Sequence, residues 1–87
     1  MTLSFLNDCR SFDSERNSVS FWGHDATFEV TFRLVESALS RISGLDRPGE
    51  AAALAAFDRN RDYIRSAAQR MYKRNPKPYC ELSSSDL

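Results

Sequence analysis

One histidine, two cysteines and one tryptophan are the residues of this chain with the widest chemistry open to them. His24 precedes Asp25, and such a pair can act as a ligand or as a general base oriented by a carboxylate. Both residue types also tolerate turn geometry, and the turn is the favoured reading here. A zinc site would have to draw on Cys9, Cys80, His24 and a carboxylate, which show no characteristic ligand spacing. A Cys–His nucleophile pair is unsupported, because Cys80 reads as an apolar strand residue. Gly23, Gly44 and Gly49 are scattered and make no phosphate-cradling loop. No catalytic residue, no metal and no cofactor is therefore expected, and a non-enzymatic protein is favoured.

Four residues stand out as partner- or ligand-binding candidates: Trp22, His24, Asn60 and Arg61. Trp22 shares a strand face with Ser18 and Ser20, where a tryptophan either anchors a partner or covers the sheet edge or a helix. Asn60 and Arg61 interrupt an apolar helix face. They are read either as a structural clip, with Glu29, Asp46 or Asp86 as the candidate partners of Arg61, or as a cleft for an anion.

The elements that must position these residues follow from periodicity. Thr27 to Val35 alternates Phe28, Val30, Phe32 and Leu34 against Thr27, Glu29, Thr31 and Arg33, the period-two pattern of a half-buried strand. Ser18 to Trp22 alternates in the same way, and Gly23-His24-Asp25-Ala26 has turn chemistry. A hairpin closed there sets Phe21 opposite Phe28 and Val19 opposite Val30. Upstream, Leu3 to Leu6 and Arg10 to Asp13 read as short strands, with Ser14 to Asn17 as the turn before Val19. Val35, Ala38, Leu39 and Ile42 form one face of a short helix stopped at Gly44. Asp46 and Pro48 then begin a helix expected to run from about Pro48 to Arg74, where Pro76 and Pro78 end it. On that helix Phe57, Ile64, Ala68 and Met71 share one arc, expected to pack on Phe28, Val30 and Phe32. Tyr79 to Leu82 can return as a strand with Cys80 and Leu82 facing in.

The fold class is α+β: a small antiparallel sheet, of N-terminal hairpins and a C-terminal strand, with a short and a long helix packed on one face. The 87 residues make a single domain, 1–87, with Ser83–Leu87 expected as a loose tail. A composition of 41% hydrophobic and 28% charged residues argues against wholesale disorder. No apolar run reaches the roughly 18 residues of a membrane span, and the first ten residues lack the pattern of a signal peptide. Both cysteines are read as thiols in a cytoplasmic protein.

Phe21-Trp22-Gly23-His24-Asp25, then Phe28-Glu29-Val30-Thr31-Phe32 and Ala38-Leu39, resemble the first half of domain-of-unknown-function family 1488. Ala56-Phe57, Asn60-Arg61, Ile64, Ala68 and Tyr72 resemble its second half. The resemblance implies a small bacterial α+β protein and carries over no activity and no functional residue. Cys9 and Cys80 lie outside the pattern.

A formal net charge of +0 argues against a global pull toward nucleic acid or an anionic membrane. The charge is nevertheless split: Arg59, Arg61, Arg65, Arg70, Lys73, Arg74 and Lys77 meet only Asp62 across their stretch. The leading expectation is a protein-interaction or regulatory module acting on an unknown protein partner or by self-association as a homodimer. The alternative is weak nucleic-acid binding through the basic face of the long helix. The third is a small enzyme or ligand binder with a site near Arg61.

Overall fold

The computed structural model describes residues 3–87 and shows an α+β fold with all three α-helices on one face of a five-stranded mixed sheet. Strands β1 (Leu3–Ser4), β2 (Arg10–Asp13), β3 (Ser18–Asp25) and β4 (Phe28–Leu34) lead into helices α1 (Glu36–Ser43), α2 (Glu50–Arg59) and α3 (Arg61–Arg74). Strand β5 (Tyr79–Leu82) and a 3₁₀ turn at Ser84–Asp86 close the chain. Among the described residues no helix is long and apolar enough to cross a membrane.

The hairpin forms, but two residues further along each strand than the sequence reading placed it. Phe21 pairs with Phe32 and Val19 with Leu34, and the two-residue loop is Ala26-Thr27, with Ala26 at φ 57°. This arrangement and the expected one put the same side chains on the same faces, so alternation does not distinguish them. The observed register makes the longer ladder. It also leaves Phe28 beyond the helices and 74% exposed, whereas it was expected under them.

Gly23 is therefore inside β3 rather than in a turn. β1 and β2 both pair with β3, end to end along one edge, and residues 5–9 between them leave the sheet toward the helices. A Cβ on Gly23 would lie 2.9 Å from Leu3 Cδ1, 3.1 Å from Phe5 Cε1 and 3.3 Å from the Ser4 carbonyl oxygen. The bare backbone is what lets this segment cross so closely.

β5 pairs with β4 in parallel, so the sheet is mixed rather than antiparallel throughout. The physical reason is the path: the chain leaves the end of β4, crosses the helical layer and re-enters alongside it in the same direction. The long helix is also two helices. Asn60 (φ −112°, ψ 18°) separates α2 from α3, and its Nδ2 donates to the Ala56 carbonyl at 2.8 Å. An asparagine side chain that competes for backbone groups in this way ends a helix. Asp46 does not cap α2, which begins after Gly49.

The core lies between sheet and helices. Phe21 stacks on Phe32 at 5.3 Å, Phe5 lies 6.1 Å from each of them, and Phe57 of α2 meets Phe21 at 5.2 Å. Ile64, Ala67, Ala68 and Ala53 bury the expected helix arc, and Cys80 and Leu82 face inward. The tail folds back onto the helices. Ser83 and Asp86 cap the 3₁₀ turn reciprocally, Ser84 N–H donates to Ser37 Oγ at 3.1 Å, and the Tyr63 hydroxyl donates to the Leu87 carbonyl.

Phe57 is fully buried against the aromatic cluster, so Phe57→Ala should cost roughly 3–5 kcal/mol in a urea titration. A midpoint matching wild type would contradict this packing.

Candidate functional site

Two groups of side chains merit a functional reading, and they lie on opposite layers. The first surrounds the α2–α3 junction. Arg61 donates through Nη2 to Asp58 Oδ1 at 2.6 Å and through Nη1 to the Asp8 backbone carbonyl at 3.2 Å. Asp58 also receives a two-point contact from Arg10, Nε to Oδ1 at 3.0 Å and Nη2 to Oδ2 at 2.9 Å. Arg65 reaches Asp8 Oδ1 and the Asn7 carbonyl, each at 3.0 Å. The hydrogen bond from Arg10 holds the Asp58 carboxyl below its ordinary pKa, so the fold selects its charged form.

These guanidinium groups also sit on rings. Arg61 Cζ lies 5.1 Å from the centroid of Phe57, and Arg65 Cζ lies 5.0 Å from that of Phe5. Each covers one rim of the aromatic cluster while its charge is answered at the surface. Arg61, its side chain 19% exposed, thus fastens α3 to the segment between β1 and β2. Its partners are Asp58 and Asp8, not Glu29, Asp46 or Asp86. Asn60 faces back into its own helix. The spacing of Asp58 and Arg61 was readable as a helix pair three residues apart. Nothing in the sequence pointed to Asp8 or Arg10, which belong to a different part of the chain.

The second group is the sheet face that carries no helix. Alternation along the strands presents Ser18, Ser20, Trp22 and His24 from β3, Glu29, Thr31 and Arg33 from β4, and Tyr79 and Glu81 from β5. Register turns these into rows: Trp22 lies opposite Thr31, and Thr31 opposite Tyr79. Trp22 is half-buried and Tyr79 is 44% exposed. Arg33 donates to Ser18 Oγ at 3.1 Å and approaches Asp13 Oδ2 at 3.5 Å. Tyr79 donates its hydroxyl to Glu81 at 2.9 Å, and burial together with that carboxylate raises its pKa.

His24 belongs to this face, with Nε2 3.9 Å from Glu29 Oε2. The structure does not bring it together with Asp25. Asp25 projects to the helical side and accepts the Tyr72 hydroxyl at 2.7 Å, which raises the tyrosine's pKa. His24 Nδ1 and Arg33 Nε are buried without a hydrogen-bond partner, and both lie on the open face. Among the described residues, no three of His, Cys, Asp and Glu gather closely enough to hold a metal ion. Cys9 is an exposed thiol, and Cys80 is a buried one whose pKa is raised by that burial.

These features define a one-sided α+β protein whose α2–α3 junction is internally paired and whose sheet presents an aromatic and polar surface. The family described as protein of unknown function (DUF1488) matches residues 3–79, and the chain belongs to that family. No curated protein and no solved structure matches it.

Because Arg61 joins segments 53 residues apart, Arg61→Ala should lower stability by roughly 1–3 kcal/mol in chemical denaturation. An unchanged unfolding midpoint would show that the fastening is not structural.

Proposed function

We propose that this protein is a non-enzymatic interaction or regulatory module of the bacterial cytoplasm. It works through the open face of its sheet, on a protein partner or on a second copy of itself. The observation that carries the reading is the row Trp22–Thr31–Tyr79, an aromatic residue at each end of a register line with polar side chains around it. Tryptophan and tyrosine are the residues that most often anchor protein interfaces, and a polar rim is their usual setting. Exposed Cys9 is in keeping with a reducing compartment.

One observation favours the second reading, weak binding of nucleic acid by the basic helix face. Among the described residues, Arg70, Lys73 and Arg74 of α3 have no carboxylate within 4.0 Å. Against it, cations gather at a helix C-terminus for the sake of the macrodipole alone. The third reading, a ligand site at Arg61, needs a free guanidinium. This one already donates to Asp58 and to the Asp8 carbonyl.

Affinity capture from native lysate separates the readings. The wild type and a charge-reversed Arg70→Glu, Lys73→Glu, Arg74→Glu protein should both recover one partner stoichiometrically, while Trp22→Ala, folded by circular dichroism, should lose it. Capture that survives Trp22→Ala would contradict the open-face reading. Capture lost only on charge reversal, and sensitive to nuclease, would establish the second.

A further inference from the structure

β5 is the last strand of the sheet, and among the described residues nothing pairs with its outer side. Its inner side is defined by two hydrogen bonds: Thr31 N–H donates to the Pro78 carbonyl at 2.9 Å and Val35 N–H to the Leu82 carbonyl at 3.0 Å. Backbone groups alternate along a strand, so the N–H and C=O of Tyr79 and Glu81 point outward. The tail that follows does not cover them. It turns onto the helical side, where Ser84 meets Ser37 of α1 and Leu87 meets Tyr63 of α3. Apolar surface flanks the edge. Met71, Tyr79 and Cys80 line a cleft of about 370 Å³ beside it, and Phe28, Pro76 and Pro78 line a second of about 320 Å³.

We propose that this edge is a self-association surface, on which two copies pair β5 with β5 in antiparallel fashion about a two-fold axis beside Cys80. The occupant follows from self-complementarity. A two-fold interface places the same strand on both sides, and only outward-facing residues can lie opposite one another as hydrogen-bonded pairs. With Cys80 at the centre, Tyr79 of each copy lies opposite Glu81 of the other, so both outward residues of both strands are paired. The phenol that donates to Glu81 within one chain is then placed to do so across the axis. Setting Glu81 opposite itself would face two carboxylates and run Tyr79 against Ser83, whose N–H is already bonded to Asp86 at 2.8 Å. Setting Tyr79 opposite itself would run the ladder into Lys77, which lies outside β5 beyond the bend at Pro78 and whose carbonyl already accepts the Cys80 thiol at 3.8 Å.

The pairing joins two sheets into one and sets the open faces side by side, with the Trp22 and Tyr79 of both copies on a common surface. A strand pair this short buries less than a standard interface, so the dimer is a reversible one. This inference stands apart from the reading of Trp22: the Trp22→Ala protein should still dimerise, and a protein held monomeric can still be tested for partner capture.

Sedimentation of the Cys9→Ser protein from micromolar to near-millimolar concentration is the experiment, with Glu81→Pro as the first variant. The Glu81 N–H points away from β4, so proline there removes no backbone hydrogen bond of the monomer and only the exposed side-chain contact with Tyr79, yet it should weaken dimerisation at least tenfold. Tyr79→Glu supplies a second variant, placing carboxylates opposite Glu81 in both pairs. Tyr79→Glu with Glu81→Lys should restore the dimer. A non-hydrogen-bonded antiparallel pair holds its Cα atoms about 4.5 Å apart, within disulfide range. Copper(II) phenanthroline, as the oxidant, should therefore join the two Cys80 thiols in the dimer and not in the Glu81→Pro protein. A monomer at the highest concentration, a dimer indifferent to folded Glu81→Pro and Tyr79→Glu, or a dimer whose Cys80 thiols do not join would each overturn the proposal.

Discussion

The rest of this structure depends on one close approach, that of the segment after β1 across the bare backbone of Gly23. Leu3 and Phe5 occupy the space that a side chain there would fill. Phe5 consequently reaches Phe21 and Phe32, and the cluster extends through Phe21 to Phe57 on α2. The same crossing delivers Asn7 and Asp8 to α3, where Arg61 and Arg65 hold them. The β1–β3 pairing, the place of Phe5 in the aromatic cluster and the ion pairs at Asp8 thus all lie on the segment that the bare backbone of Gly23 admits.

This arrangement divides the molecule by role. On the helical side Arg10, Arg61 and Arg65 find carboxylates, carbonyls or rings, and Asp25 is taken by Tyr72. The individual surface ion pairs are worth little. Two guanidinium groups set over rings of the aromatic cluster and fixed to a distant segment are worth more, because they shield the aromatic rims while satisfying their own charge. On the sheet side the polar groups are less complete, and the large side chains, Trp22 and Tyr79, cover no helix. The proposed partner surface is this uncovered sheet face, opposite the single core.

Alternation along Ser18–Trp22 and Thr27–Val35 made the two central strands and their inward faces legible, and with them the α+β class. It left the hairpin register open, since both closures keep Val19, Phe21, Val30, Phe32 and Leu34 inward, and only the length of the ladder separates them. The parallel direction of β5 is a property of the chain's path over the helices and leaves no mark on Tyr79–Leu82 itself. Asn60 and Arg61 were visible as a break in an apolar arc. The break turned out to be conformational at Asn60, whose side chain ends α2, and electrostatic at Arg61. The partners of Arg61 were beyond reach, because Asp8 is brought near it only by the crossing at Gly23. Gly23 itself read as a turn residue, which is what glycine near His24-Asp25 most often signals.

Gly23→Val tests the account most directly, because two effects predict opposite signs. Valine suits a strand better than glycine, and intrinsic preference alone would stabilise the protein by up to about 1 kcal/mol. The close approach predicts the reverse. The Cβ already meets the Ser4 carbonyl at 3.3 Å, and the valine methyls extend further into the space of Leu3 and Phe5. Urea denaturation of Gly23→Val should therefore show a loss of roughly 1–3 kcal/mol, the usual cost of overpacking. A variant as stable as wild type, or more so, would contradict the account.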